Sequence, residues 1–400
     1  MIVESSKTVA FLISRVDCND GIASHCETLM HGLRTSGWKV VLITGKVGFD
    51  NSSVKRFESL KELSEEWIVF DSLNLLSPNF TSISKILSAI RRYKIQFIHA
   101  HGYSILSLAF ILKMLTGIKC VATCHTFDAH LLKPIYFGKS IEGKNLRLKK
   151  MLLHSYLKIF SPQVFIAISS DIEQWLLQDI GIAQQKIKKI FNGIDSKYFH
   201  PPNAEERQNA RERFRLSTED FVITLVGRTQ WDKGHKLLID AIKQIAKSSP
   251  QYSFKCLFAG SGDQKQEIEN YALIEEENWN RFLFLGYVNE CRDVYWASNI
   301  IVLPSQAEGF GLVIVEAMSC GIVPIRTPTA GAYDQIEEGL NGFIIPFNDL
   351  DALTSRLLQL AENPELRSKM VVNALISSKK KFTLEAMTLG TIAAYEEAIK

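Results

Sequence analysis

Residues 299–321 read NIIVLPSQAEGFGLVIVEAMSCG. Ile300 to Leu303 form an apolar run that would be buried on both faces of a strand, and Pro304 ends it. A polar loop follows, in which Glu308 precedes Gly309, Phe310 and Gly311. A helix is then expected over about 311–320, with Glu316 one to two turns inside it. Strand, glycine loop and helix in immediate succession make one βα unit of a parallel sheet covered by helices. The two glycines let backbone approach a ligand with no Cβ in the way. The first N–H groups of the helix suit a phosphate. Glu308 suits the hydroxyls of a sugar, and Glu316 lies at the reach of a ribose. A capping Glu308 and a solvated Glu316 would account for the two carboxylates, but not for glycines on both sides of Phe310.

The same alternation runs outward in both directions. Before the middle of the chain, apolar runs stand at 8–14, 39–44, 97–100, 120–124, 164–169 and 187–191. After it they stand at 221–227, 254–260, 281–286, 299–305, 322–327 and 342–347. Segments of helical period lie between them, at 22–36, 83–93, 104–115, 146–160, 235–248 and 311–320. The tail, 364–400, reads as helix throughout. Two successive βα series predict an α/β protein of two doubly wound, Rossmann-like domains. The prolines of HPPNAEER (200–207) mark the boundary. We therefore expect a first domain over 1–199, a second over 200–381, and a terminal helix at about 382–400 that packs back on the first. A chain of 400 residues is too long for one core, which agrees with two domains.

The net charge of +3 conceals an asymmetry. Residues 1–200 carry 25 Lys and Arg against 16 Asp and Glu; residues 201–400 carry 21 against 27. A basic first half favours an anionic partner. Seven scattered cysteines argue for a reducing compartment over a disulfide framework. No apolar run is long enough to span a bilayer, and the start, MIVESSKTVAFLIS, lacks a cleavable signal pattern. The expected location is the cytoplasm, with peripheral contact at the inner face of the membrane as an option.

After the run FVITLVG come Arg228, then Lys233-Gly234 and a helix from His235. Two cations and a glycine at a strand-to-helix turn outline a second phosphate site. Together, Arg228…Lys233-Gly234, EGFGLVIVE and the earlier FNGID (191–195) resemble the retaining glycosyltransferases of the GT-B fold, family GT4. LVGRTQWDKGHKLLIDA, FLFLGYV, ASNIIVLPS and NGFIIPF fall in that family's order, so the resemblance covers most of 190–350. The first half resembles the family in outline. The resemblance implies two domains facing across a cleft, the first binding acceptor and the second binding donor. It implies that Arg228 and Lys233 hold a diphosphate, Glu308 meets the transferred sugar, and Glu316 meets the ribose. Gly309 and the amides around Phe310, Gly311 and Leu312 would face sugar and phosphate. In the first half, Gly21 occupies the position of the family's second loop glycine, with Asp20 in place of the first. His125 matches the family's histidine near the transferred sugar, and Asp128 stands three residues on where an adjacent aspartate is usual. His99 and His101 end a strand and are equally explained as core or rim histidines. Near 327–336 only Gly331 of a glycine pair is evident, and Asp334 stands in place of a glutamate.

No metal and no cofactor is expected. Asp349-Leu350-Asp351 has an Asp-x-Asp spelling, but it opens the segment DLDALTSRLLQL, where aspartate is expected as a cap. Cys120, Cys124, His125 and His130 could suggest zinc, yet the cysteines lie in an apparent buried strand, where packing explains them. The segment 133–157 is basic with interleaved apolar residues. It reads as a helix with a wet positive face, or as a surface for an anionic membrane or lipid-diphosphate acceptor. No nucleic-acid motif is present.

The expected activity is transfer of a sugar from a nucleotide-diphosphate donor to a hydroxyl acceptor, soluble or lipid-linked, with retention and without metal, in polysaccharide or glycolipid synthesis. Two alternatives remain: a nucleotide-sugar epimerase of the same architecture, and a non-catalytic nucleotide-sugar-binding subunit, which Asp20 keeps open.

Overall fold

The computed structural model describes residues 7–16, 21–45, 47–48, 51–70, 80–126, 144–274, 281–289 and 291–399. The chain divides into two compact units, Met1–Gly193 with Leu384–Lys400, and Ile194–Thr383.

The first unit holds strands β1 (Thr8–Ile13), β2 (Lys39–Thr44), β3 (Glu66–Val69), β4 (Phe97–His101), β5 (Lys119–Cys124), β6 (Val164–Ala167) and β7 (Ile187–Lys189). They form one sheet in the order β3-β2-β1-β4-β5-β6-β7, with each neighbouring pair parallel. The second unit holds β8 (Phe221–Val226), β9 (Phe254–Ala259), β10 (Phe282–Gly286), β11 (Ile300–Leu303), β12 (Val323–Arg326) and β13 (Phe343–Ile344), in the order β10-β9-β8-β11-β12-β13, again parallel. The strand order of each sheet reverses once, between β1 and β4 and between β8 and β11. In open parallel sheets the crevice at such a reversal, outside the carboxyl ends of the strands, is where ligands bind.

The apolar runs became strands because helices cover both faces. Ile223 and Leu225 of β8, with Ile300 and Val302 of β11, enter one core cluster. Val222 and Val226, with Ile301 and Leu303, enter the cluster on the opposite face. The apolar pattern does not pick out β3, whose residues alternate between half-buried and exposed at the sheet edge. The run 322–327 pairs only over Val323–Arg326, and 342–347 only over Phe343–Ile344.

The units meet at Gly193/Ile194 and Thr383/Leu384, not at 199/200 and 381/382. Ile194 donates its N–H to Phe382 O at 3.0 Å and bridges Thr383, which ties both crossings to the second unit. Trp296 Nε1 then holds His200 O at 2.7 Å. The prolines only precede the helix Ala204–Arg213, which Asn203 and Glu206 cap reciprocally. The terminal helix Leu384–Ile399 packs in the first unit. Its Tyr395 stacks on Phe97, lies against Trp38, and bonds His99 Nδ1 at 2.7 Å.

Candidate active site

Four loops at the carboxyl end of the second sheet lean on one another. Gly234, at φ 81°, starts the helix His235–Ser248 and lies so close to Pro304 that a Cβ would meet its carbonyl oxygen at 2.3 Å. The loop after β8 thereby packs directly against the loop after β11. Gln306 N donates to Asp232 O at 2.8 Å across the same seam. The loop after β9 joins them where Thr229 N bonds Ser261 O at 3.1 Å.

This seam brings Lys233 and Glu308 together. The Lys233 ammonium donates to Glu308 Oε1 at 2.7 Å, with the two side chains 12% and 16% exposed. Burial works to raise the Glu308 carboxyl; the charge and hydrogen bond of Lys233, the nearby Ser305 hydroxyl and Arg326 outweigh it and hold it below the usual range. Glu308 is therefore ionised at neutral pH. It is a loop residue, and the helix cap is Gly311, at φ 79°, opening Leu312–Ser319. Arg228 is exposed and stands in the loop after β8. Gly309 is half-buried and the Phe310 side chain is buried, pointing into the protein against Phe382.

Glu316 sits in the second turn of its helix. Tyr295, fully buried, donates its hydroxyl to Glu316 Oε2 at 2.6 Å and orients the carboxylate. Burial, and then the Glu316 charge, push the Tyr295 phenol well above its ordinary value, so it stays a donor.

Arg326 was not among the residues singled out from sequence. It ends β12 with no exposed surface. Its guanidinium donates to Phe310 O at 3.0 Å, Thr329 Oγ1 at 2.6 Å, Ala330 O at 3.2 Å, and Gln335. Gln335 Nε2 returns to Phe310 O at 2.8 Å. One buried cation thus clamps the Glu308–Gly311 loop to the loop of Gly331. The signal was present: a lone arginine in the apolar run IVPIRT. Gln335, rather than Asp334, is the buried polar side chain of the short helix after Gly331.

Asp349 accepts from Ala352 N at 2.8 Å and caps the helix Leu350–Glu362, so the Asp-x-Asp spelling is used at a helix start. Cys120 and Cys124 are buried in β5, where burial pushes both thiols up to about 12. Asp20, Asp128 and His130 lie outside the described residues. Gly21 opens the helix Gly21–Thr35. His125 follows β5 and is buried; its Nε2 lies 3.3 Å from His101 Nδ1, and its ring meets that of His25 edge-on at 4.6 Å. Burial holds His125 well below its ordinary value, so the ring is neutral. His99 is a satisfied core histidine, bonded to Tyr395 and to Thr123 Oγ1 at 2.7 Å each. His101 is not: its Nε2 is buried without a partner. Sequence reasoning missed His25, which stands four residues into its helix.

Of the segment 133–157, residues 133–143 lie outside the described residues and 144–157 belong to the helix Lys144–Ile159. Met151, Leu152 and Ile159 of that helix are exposed. No described helix is long and apolar enough to cross a membrane.

Two parallel sheets, each covered by helices in its own unit, are the parts of a GT-B fold, and comparison with known proteins agrees. Residues 19–198 match Glycosyltransferase Family 4, and residues 206–375 match Glycosyl transferases group 1. The chain is 24% identical to an uncharacterised glycosyltransferase of Methanocaldococcus jannaschii, over 95% of each chain. It is 25% identical to the Escherichia coli UDP-Gal:alpha-D-GlcNAc-diphosphoundecaprenol alpha-1,3-galactosyltransferase, over 76% of each. Its fold matches Anabaena HepE in complex with UDP at a TM-score of 0.77 and 19% identity, covering 97% of this chain and 99% of that one. The chain belongs to glycosyltransferase family 4 and has the GT-B fold.

Proposed function

We propose that the chain transfers a sugar from a nucleoside-diphosphate sugar to a hydroxyl of an acceptor, with retention at the anomeric carbon and without a metal at the donor. The observation that carries this reading is the Lys233–Glu308 pair, set between two glycine-capped helix starts at the reversal point of the second sheet. When the bond from the anomeric carbon to the diphosphate breaks, negative charge grows on the leaving oxygens. Lys233, Arg228 and the N–H groups at Leu312 supply fixed positive charge and donors there without reorganising. Glu308 accepts from the sugar hydroxyls, and Glu316, oriented by Tyr295, accepts from the ribose. His125, neutral in its buried setting, offers a hydrogen bond to the transferred sugar.

A lipid-linked acceptor is favoured by the Escherichia coli relative, whose acceptor is a diphosphoundecaprenol sugar, and by the basic first half of the chain. The reaction we propose belongs to surface polysaccharide or glycolipid synthesis at the inner face of the membrane, a reading that the Escherichia coli relative supports. The test is incubation with a panel of labelled nucleotide sugars and acceptors, followed by NMR of the product. An α-donor yielding an α-linked product supports the proposal. An inverted product, an epimerised free donor, or binding with no turnover on any acceptor overturns it. Strict dependence on added divalent metal overturns the metal-free part.

A further inference from the structure

In the first unit, β1, β4 and β5 are neighbours, and three histidines collect at their carboxyl ends. His101 is the last residue of β4, His125 follows β5, and His25 lies in the second turn of the helix after β1. One ligating nitrogen from each lies within 4.8 Å of the others. His101 Nδ1 and His125 Nε2 are 3.3 Å apart. Tetrahedral zinc, with bonds of about 2.0–2.1 Å, holds its nitrogen ligands about 3.3 Å apart. The rings are 4%, 1% and 6% exposed for His25, His101 and His125. Nε2 of His101 is buried without a hydrogen-bond partner, and Asn192 is the side chain that His25 meets by hydrogen bond. When an ion binds, the proton between His101 Nδ1 and His125 Nε2 moves to the other nitrogen of its ring, so that each imidazole ligates through a lone pair.

We infer that His25, His101 and His125 form a binding site for one divalent transition-metal ion of the zinc class. Among the described residues the ligand set is three imidazoles, which favours zinc, cobalt, nickel or copper over magnesium, calcium or manganese. Three protein ligands leave a fourth position for water or an oxygen ligand. The ion is not a participant in transfer. The ion binds Nε2 of His125, the nitrogen that faces His101, so occupancy displaces any hydrogen bond that this nitrogen gives the sugar and lowers turnover; this consequence, unlike the binding itself, rests on the function proposed above.

The experiment titrates the chelator-treated full chain with Zn2+ alone and with Co2+ alone. We expect one equivalent of cobalt to give the intense visible absorption of a tetrahedral site, displaced by zinc, and no competition from Mg2+. His25→Gln and His101→Gln keep polar groups of similar size in the cluster and should weaken binding by on the order of 100-fold or more. His154→Ala and His200→Ala, outside the cluster, should bind as the wild type does. Thermal melts in chelator check that each variant is folded; His25→Ala serves where the glutamine variant is not. Absence of saturable binding overturns the inference, as does equal binding by wild type and both cluster variants. Because the readout is spectral, failure of transfer with every donor would sink the proposed function and leave this result standing. Binding without loss of turnover would remove His125 from the sugar site.

Discussion

Lys233 and Glu308 are each other's partner at 2.7 Å in a half-closed setting, so variants at the two are expected to couple. Lys233→Ala should lower kcat by on the order of 100-fold, as expected for loss of one donor to the developing charge. Glu308→Gln should lower transfer while leaving affinity for free nucleoside diphosphate nearly unchanged. The double variant should be much less impaired than the product of the two singles, since residues in contact do not add. Steady-state kinetics and diphosphate titrations check this; strict additivity would mean that the pair is incidental. Glu316→Gln should behave differently. On the proposed reading it removes a charged acceptor for the ribose, so it should weaken donor and free nucleoside diphosphate alike by about tenfold or more, consistent with a charged hydrogen bond of about 1.5–3 kcal/mol. Calorimetric titration with the diphosphate separates the two glutamates.

Helices in the first unit approach closely at one glycine. A Cβ on Gly32 would meet Thr388 Oγ1 and the Leu384 side chain, so the helix Gly21–Thr35 touches the helix Leu384–Ile399 there. Gly32→Ala gains about 1 kcal/mol of helix propensity but forces the two helices apart, which typically costs about 1–3 kcal/mol. The net expectation is a loss of stability of about 1 kcal/mol, with the terminal helix loosening first. Urea unfolding and hydrogen exchange over 384–399 test it, and a stabilised variant would contradict the packing. On the helix Lys144–Ile159, Leu152 and Ile159 lie seven residues apart, on one exposed face. If that face docks on an anionic membrane, Leu152→Ser with Ile159→Ser should cut vesicle binding at least tenfold, since each buried leucine-sized side chain contributes about 1.5–3 kcal/mol. Added salt should weaken the wild type as well. Equal wild-type binding to neutral and anionic vesicles would end the membrane reading.

The two units differ in what acid does to them. His25, His99, His101 and His125 in the first unit are all held below their ordinary values, chiefly by burial, His25 at about 4. Among the described residues of the second unit His235 alone is so shifted, also to about 4. A histidine kept neutral in the native state binds its proton more readily when unfolded. Its contribution to stability is therefore full above about pH 6.5 and is lost as pH falls towards 4, on the order of 3 kcal/mol for His25 alone. Glu308, held low, acts in the same direction but at lower pH. Between pH 7 and 5, in chelator, the first unit should open before the second. Hydrogen exchange at the two pH values checks this, and earlier opening of the second unit would refute it.

Much of this molecule is written locally. Strands buried on both faces of a parallel sheet need continuous apolar runs, so the two βα series were legible without coordinates. Tight strand-to-helix turns need glycine at positive φ, so SQAEGFG and RTQWDKG stood out too. Where pairing is half-exposed, as in β3, the apolar signal vanishes and only the sheet reveals the strand. The boundary at Ile194 depends on a bridge to Thr383, nearly two hundred residues away, and no local break marks it. The sequence reading separated Lys233 from Glu308 by assigning one to phosphate and one to sugar; their contact is made by Gly234 lying against Pro304. Arg326 could be seen as a charge in an apolar strand, but not that the carbonyls of Phe310 and Ala330 would receive it. The convergence of His25, His101 and His125 was likewise decided by strand order. Hydrophobic periodicity and turn chemistry act between near neighbours in the chain, whereas charge pairing and ligand convergence depend on which distant loops the sheet sets side by side.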